Sequence, residues 1–124
     1  MKIILSHEES EKFFFDALCN GLSELRGYGL QLTYRKKDYA DAREKLTSPC
    51  YEDVLMQILR DGNKLRLVDH ENGFKPRILT LDDVHTKVSN TEARWLIQMD
   101  NGEDDAVTAD CILQSTFYGE VIFG

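Results

Sequence analysis

Five acidic side chains are clustered in the stretch DNGEDDAVTAD, which spans residues 100–110. Clustered carboxylates can bind a divalent cation, and an EF-hand loop needs oxygen ligands at positions 1, 3 and 5, Gly at position 6 and Glu at position 12. With Asp100 at position 1, position 12 is Cys111; with Gly102 at position 6, position 1 is Ile97. Neither register supplies the ligands, so the stretch is not an EF-hand.

The start of a helix explains most of the same carboxylates. Asp104 or Asp105 can cap a helix over about 105–118, and carboxylates at the positive end of a helix dipole each contribute ~0.3–1 kcal/mol. Asp110, one turn further on, is expected on the solvated face of that helix. A looser cation site stays open as an alternative, formed by Asp100, Glu103, Asp104 and Asp105. We predict no metal ion or other cofactor.

Histidines and cysteines, the usual carriers of acid/base and nucleophilic chemistry, are isolated from one another in the sequence. They are His7, His70, His85, Cys19, Cys50 and Cys111. Catalysis by a pair such as Cys111 with His85 needs a contact in space that the sequence does not reveal. The chain has no GxSxG, HExxH, Walker or GxGxxG pattern, so no familiar hydrolase or nucleotide site is indicated. We therefore predict that the protein is not an enzyme.

One basic cluster could contact phosphate groups. It consists of Arg35, Lys36, Lys37, Arg43 and Lys45. Acidic residues are interleaved with these cations, at Asp38, Asp41 and Glu44, which is also typical of an ordinary solvated helix face. Nucleic-acid binding through this cluster is the alternative function that the sequence leaves open.

Hydrophobic periodicity and capping residues predict the elements that position these side chains. In chain order they are a strand near 2–5, a helix over about 7–26, a strand over 29–35, two short helices, a hairpin over about 64–80, two or three helices and a strand near 120–123. Residues 91–99 suit helix or strand, and Thr91 as a cap favours helix. Asn72-Gly73 suits a type I′ turn in the hairpin. The order predicts a helix-rich α+β fold with a small, mainly antiparallel sheet.

From Ser6 to Thr80 this order of elements resembles that of a winged-helix module. The resemblance implies that the second short helix enters the major groove and that the hairpin tip touches the DNA backbone. In this sequence that helix begins CYED and the hairpin tip reads DHEN. Carboxylates at both places repel phosphates, which disfavours nucleic acid as a partner.

The length, charge and composition of the chain predict its number of domains and its location. A chain of 124 residues with two prolines and no linker-like tract predicts one domain over 1–124. The net charge of −7 lies entirely in residues 82–124, which hold nine acidic and two basic side chains, whereas residues 1–81 hold thirteen of each. Three cysteines without ligand spacing, no signal peptide and no apolar run long enough for a membrane span predict a cytoplasmic protein away from membranes.

The leading hypothesis is a non-catalytic interaction module that docks onto a protein partner or forms a homo-oligomer. Aromatic residues are enriched at the centres of interfaces, and the three consecutive phenylalanines at 13–15 cannot all face one side of a helix. The predicted interaction surface combines aromatic residues at the edge of the buried helix faces with the acidic stretch. Its residues are Phe13, Trp95, Asp100, Glu103, Asp104 and Asp105.

Overall fold

This protein combines helices with a small antiparallel sheet. The computed structural model describes residues 3–103 and 105–124. The elements within them are α1 (His7–Gly27), β1 (Leu30–Thr33), α2 (Lys36–Glu44), α3 (Tyr51–Arg60), β2 (Leu65–Asp69), β3 (Arg77–Leu79), α4 (Leu81–Lys87), a 3₁₀ turn (Val88–Asn90), α5 (Ala93–Asp100) and α6 (Ala106–Tyr118). The predicted α+β class is confirmed, as is the element order from α1 to β3. The helix favoured for residues 91–99 is confirmed as α5, but it begins at Ala93 with Glu92 as its N-cap, so the predicted cap at Thr91 is wrong.

The sheet has the strand order β1-β2-β3, with both pairs antiparallel. Leu67 of β2 is buried, whereas its neighbour Arg66 is exposed and lies opposite Ile78 of β3. Successive side chains in a strand point to opposite faces, so one face of the sheet packs on the helices. The other face carries Arg66 and Ile78 to the surface.

Helix α6 forms the centre of the core, because every residue from Thr108 to Phe117 is buried. Its most extensive partner is α1, and the two helices approach closely at Gly21. A Cβ added to Gly21 would lie 3.0 Å from the Cβ of Ala109 and 3.0 Å from the backbone N of Asp110. Glycine is therefore needed for this crossing because any side chain would collide with α6.

Asp110 is buried, and the prediction of a solvated position for it is wrong. One carboxylate oxygen accepts a hydrogen bond from the Tyr28 hydroxyl at 2.7 Å and the other accepts one from Gln114 Nε2 at 2.8 Å. Burial and the hydrogen bond to Asp110 raise the pKa of Tyr28 to about 12. A helix that is enclosed on all sides leaves no solvated face, so its polar residues must find partners inside the protein.

The predicted strands at the two ends of the chain are wrong. Residues 3–5, the described part of the first, and residues 120–123 lie outside the sheet. The C-terminal segment instead bonds to a side chain, because Gln114 Oε1 accepts from the backbone N–H groups of Ile122 and Phe123, each at 2.8 Å. Gln114 therefore provides the hydrogen-bond acceptor that a neighbouring strand would otherwise provide for these backbone N–H groups.

The hairpin between β2 and β3 is confirmed, but its turn is not the predicted type I′. Gly73 has a positive φ of 85° and Asn72 does not. The loop is organised by the Asp69 carboxylate, which accepts from the backbone N–H groups of Glu71, Asn72 and Phe74 at 2.8 to 3.0 Å. Burial acts to raise the pKa of Asp69, but these donors outweigh it and lower the pKa to about 2.

Candidate functional site

A groove with both apolar and acidic lining residues lies between the N-terminal segment, α1 and α5. It has a volume of about 120 Å³. Its lining residues are Ile3, Leu5, Glu9, Phe13, Leu96, Ile97 and Asp100. The groove therefore brings together Phe13 and Asp100, two residues of the predicted interaction surface that stand far apart in the sequence.

One lining residue of the groove is an exposed isoleucine. Ile97 is 48% exposed, whereas Leu96 and Met99 are the buried residues of α5. Ile4 is 91% exposed but does not line the groove, although Ile3 and Leu5 on either side of it do. Single exposed apolar side chains are common on protein surfaces, whereas apolar side chains gathered around a groove mark a surface that can bind a partner.

Carboxylates make the rim of the groove negative. Asp100 is exposed at the C-terminal end of α5, where the helix dipole is also negative. Glu9 accepts a hydrogen bond from the backbone N–H of Ser6 at 2.9 Å, and this bond lowers the pKa of the Glu9 carboxyl. A cationic group on a partner would therefore be attracted to both sides of the groove.

The other predicted interaction residues lie beside the groove rather than in it. Trp95 packs against the core, and the guanidinium of Arg94 lies 4.4 Å from the centre of its ring. Glu103 and Asp105 are exposed in the connection between α5 and α6. Asp105 caps α6 by accepting from the backbone N–H of Thr108 at 3.0 Å, which confirms a predicted cap. Asp104 lies outside the described residues.

Three of the acidic residues described in the C-terminal third add no unpaired negative charge to the surface. Asp83 is paired with Lys87 at 3.4 Å, and Glu92 is paired with Arg94 at 3.0 Å. Asp110 is buried. The negative charge that faces solvent near the groove therefore comes from a few residues around the end of α5, and the charge count of the sequence overstates it.

The predicted basic cluster is partly neutralised by its own neighbours. Three of its five cations form ion pairs: Arg35 with Asp38 at 3.7 Å, Lys37 with Asp41 at 3.9 Å and Lys45 with Asp61 at 2.8 Å. Lys36 and Arg43 are exposed on α2. Helix α3, which corresponds to the groove-reading helix of a winged-helix module, has five buried residues in its ten and lies against α1 and α2. Little of α3 is free to enter a DNA groove.

A histidine cluster that sequence reasoning missed joins α1 to α3 and α4. His85 Nε2 lies 2.9 Å from one carboxylate oxygen of Glu11, and Arg60 Nε donates to the other at 2.9 Å. The His7 ring stacks on the His85 ring with the centroids 3.9 Å apart. Burial acts to raise the pKa of Glu11, but the bonds from His85 and Arg60 outweigh it, so that the pKa is lowered.

A carboxylate can orient an imidazole in this way at an active site, but a nucleophile must also reach that imidazole. Among the described residues, the hydrogen bond of His85 is to Glu11, and none is found from His85 to a serine, threonine or cysteine.

Three general features bear on function. In residues 3–103 and 105–124, no cluster of three or more His, Cys, Asp and Glu side chains has the arrangement that would hold a metal ion. No helix in the same residues combines the length and apolar character needed to cross a bilayer. Comparison with protein-family models, curated proteins and solved structures finds no match to this chain.

Proposed function

We propose that this protein is a non-catalytic docking module that binds a basic, amphipathic segment of a protein partner in the groove between the N-terminal segment, α1 and α5. The proposal is supported by the 48% exposure of Ile97 in a groove that Phe13 also lines, together with the carboxylates of Glu9 and Asp100. An amphipathic helix that binds in a groove places its apolar side chains at helical spacing into it. Lysines flanking those side chains would then meet Asp100 and Glu9.

Charge favours a different protein over a second copy of this one. A two-fold symmetric contact brings the same patch of both copies together. Asp100 and Glu9 of one copy would then face the same carboxylates of the other, and like charges across an interface oppose association. A basic partner is attracted by the same carboxylates, so the proposal commits to a partner of opposite charge.

A designed peptide tests the chemistry of the proposed partner. The peptide is a helix of about 15 residues, with leucines at positions i, i+4 and i+7 and lysines elsewhere. We expect the wild type to bind it, and Ile97→Glu to weaken binding about tenfold or more, because burying an isoleucine is worth ~1.5–3 kcal/mol. Fluorescence anisotropy of a labelled peptide measures the affinity.

Two controls separate docking in the groove from general attraction between charges. Val121→Glu introduces the same charge at a side chain that is 40% exposed on the C-terminal segment, and it should leave the affinity unchanged. A peptide with glutamate in place of lysine should not bind. Equal affinity of the wild type and Ile97→Glu for the basic peptide would contradict the proposal.

Nucleic-acid binding is the second candidate function, because the element order of a winged-helix module is present from α1 to β3. In this candidate the exposed Lys36 and Lys37 of α2 contact the phosphate backbone. It predicts that the protein is retained on heparin or random duplex DNA at low salt, and that Lys36→Glu with Lys37→Glu reduces retention. Elution in the unbound fraction at low salt would rule the candidate out.

A further inference from the structure

A second cavity, of about 350 Å³, opens at the end of the sheet where β1 leads into α2 and α3 leads into β2. Its lining residues are Thr33, Tyr34, Arg35, Asp38, Gly62, Asn63, Lys64, Arg66 and Ile78. The volume falls in the range of about 300–1,000 Å³ that is usual for small-molecule sites. This cavity shares no lining residue with the groove between α1 and α5.

The cavity is electropositive, although the protein as a whole carries a net charge of −7. Three of its lining residues, Arg35, Lys64 and Arg66, are cations and one, Asp38, is an anion. The Asp38 carboxylate is paired with Arg35 at 3.7 Å. Among the described residues, Lys64 and Arg66 form no ion pair. Lys64 and Arg66 therefore line the cavity without an ion-pair partner of their own, and the anion that lines it with them, Asp38, is paired with Arg35.

The position of these cations follows from the fold. Arg66 lies on the outer face of the sheet, directly opposite Ile78, whose side chain is 54% exposed. Because Arg66 and Ile78 are both exposed, this side of the cavity is open to a ligand. Lys64 follows the tight turn at Gly62, which has a positive φ of 87°. Tyr34 and Ile78 supply apolar surface next to the charged groups.

We propose that this cavity binds a small phosphorylated molecule. Lys64 and Arg66 bind the phosphate oxygens, since a guanidinium can donate two parallel hydrogen bonds to a phosphate and an ammonium adds a point charge. Ile78 and Tyr34 contact the apolar part of the ligand. Asn63 offers an amide that can bond to a hydroxyl or phosphate oxygen. The site is independent of the proposed docking groove, because the two share no residue.

Binding of pyrophosphate and of adenosine monophosphate, measured by isothermal titration calorimetry, tests this site. We expect the wild type to bind both probes, and the double variant Lys64→Gln/Arg66→Gln to raise the dissociation constant at least tenfold. Adenosine, which lacks the phosphate, should not bind detectably. Both substituted side chains are exposed, so the fold should be retained, and an unchanged urea unfolding midpoint would verify it.

A matched control uses Lys12→Gln/Lys75→Gln, which removes the same charge from two exposed positions away from the cavity. This variant should bind the probes as the wild type does. Equal weakening in both double variants would overturn the proposal, because the binding would then follow net charge alone. So would no binding to the wild type at ~10 mM probe, a concentration at which even a weak millimolar site would be occupied. A random single-stranded oligonucleotide is the last probe. If the protein bound it far more tightly than it bound adenosine monophosphate, and if the Lys64→Gln/Arg66→Gln variant lost that binding, the assignment to a small molecule would be overturned.

Discussion

The side-chain amide of Gln114 bonds to the backbone of Phe123 as a neighbouring strand would. Gln114 Oε1 accepts from the Phe123 N–H at 2.8 Å, and Gln114 Nε2 donates to the Phe123 carbonyl at 3.3 Å. Gln114 is fully buried, so these bonds form where water does not compete. The Phe123 ring also stacks on Tyr28 with the ring centroids 5.1 Å apart. The C-terminal segment is therefore part of the folded core.

Replacing Gln114 with alanine should destabilise the protein by ~2–4 kcal/mol, because it leaves buried polar groups without partners and opens a cavity. The N–H groups of Ile122 and Phe123 and the carboxylate of Asp110 would each lose a bond. Urea unfolding followed by circular dichroism measures the change. Gln31→Ala, at an exposed position on β1, is the control and should cost far less. A loss below ~1 kcal/mol for Gln114→Ala would mean that the segment is not anchored in this way.

Gly21→Ala should destabilise the protein by ~1–3 kcal/mol, because the new methyl group overpacks the crossing of α1 and α6. The direction is opposite to the usual effect of alanine in a helix, which stabilises relative to glycine by up to ~1 kcal/mol. Gly27→Ala, in the same helix, is a matched control, because a Cβ at Gly27 meets nothing within 4 Å. Thermal and urea unfolding of the two variants should move in opposite directions. Stabilisation by Gly21→Ala would refute the close crossing.

Glu11→Gln should destabilise the protein near neutral pH by ~1–2 kcal/mol, because it weakens the charged hydrogen bonds to Arg60 and His85. The pKa of Glu11 is lowered in the folded protein, so its stabilising contribution is complete above the ordinary glutamate pKa of about 4.3 and is lost as the pH falls through the lowered value. The difference between wild type and variant should therefore shrink toward pH ~2. Urea unfolding at pH 7, 4 and 2.5 measures it. The exposed Glu120→Gln is the control, and a difference that does not change with pH would contradict the role of the charge.

The parts of the fold that depend on local chemistry could be predicted from the sequence. Ser6 followed by Glu9 three residues later is a capping-box pattern in the sequence, and in the structure the Glu9 N–H donates to Ser6 Oγ at 3.1 Å. Thr80 followed by Asp83 has the same spacing, and Thr80 caps α4 by accepting from the Asp83 N–H at 3.2 Å. Such contacts join residues three apart, so their spacing is visible in the sequence.

The parts that depend on distant contacts could not be predicted. The bond between Tyr28 and Asp110 joins residues 82 positions apart, and that between Glu11 and His85 joins residues 74 apart. The burial of α6 from Thr108 to Phe117 made the solvated position predicted for Asp110 wrong, because periodicity alone cannot tell an enclosed helix from a surface one. The groove likewise required the fold, because Phe13 and Ile97 stand 84 positions apart in the sequence and line the same groove only in the folded chain.

Docking of a basic, amphipathic segment between the N-terminal segment, α1 and α5 is tested most directly by titrating the ¹⁵N-labelled protein with the leucine-lysine peptide. The amide chemical shifts of the protein are measured at each peptide concentration. We expect saturable shifts confined to residues 3–5 and 96–100 and to the turn of α1 that carries Glu9 and Phe13. Shifts centred instead on residues 33–38 and 62–66, or no saturable shifts at all, would contradict it.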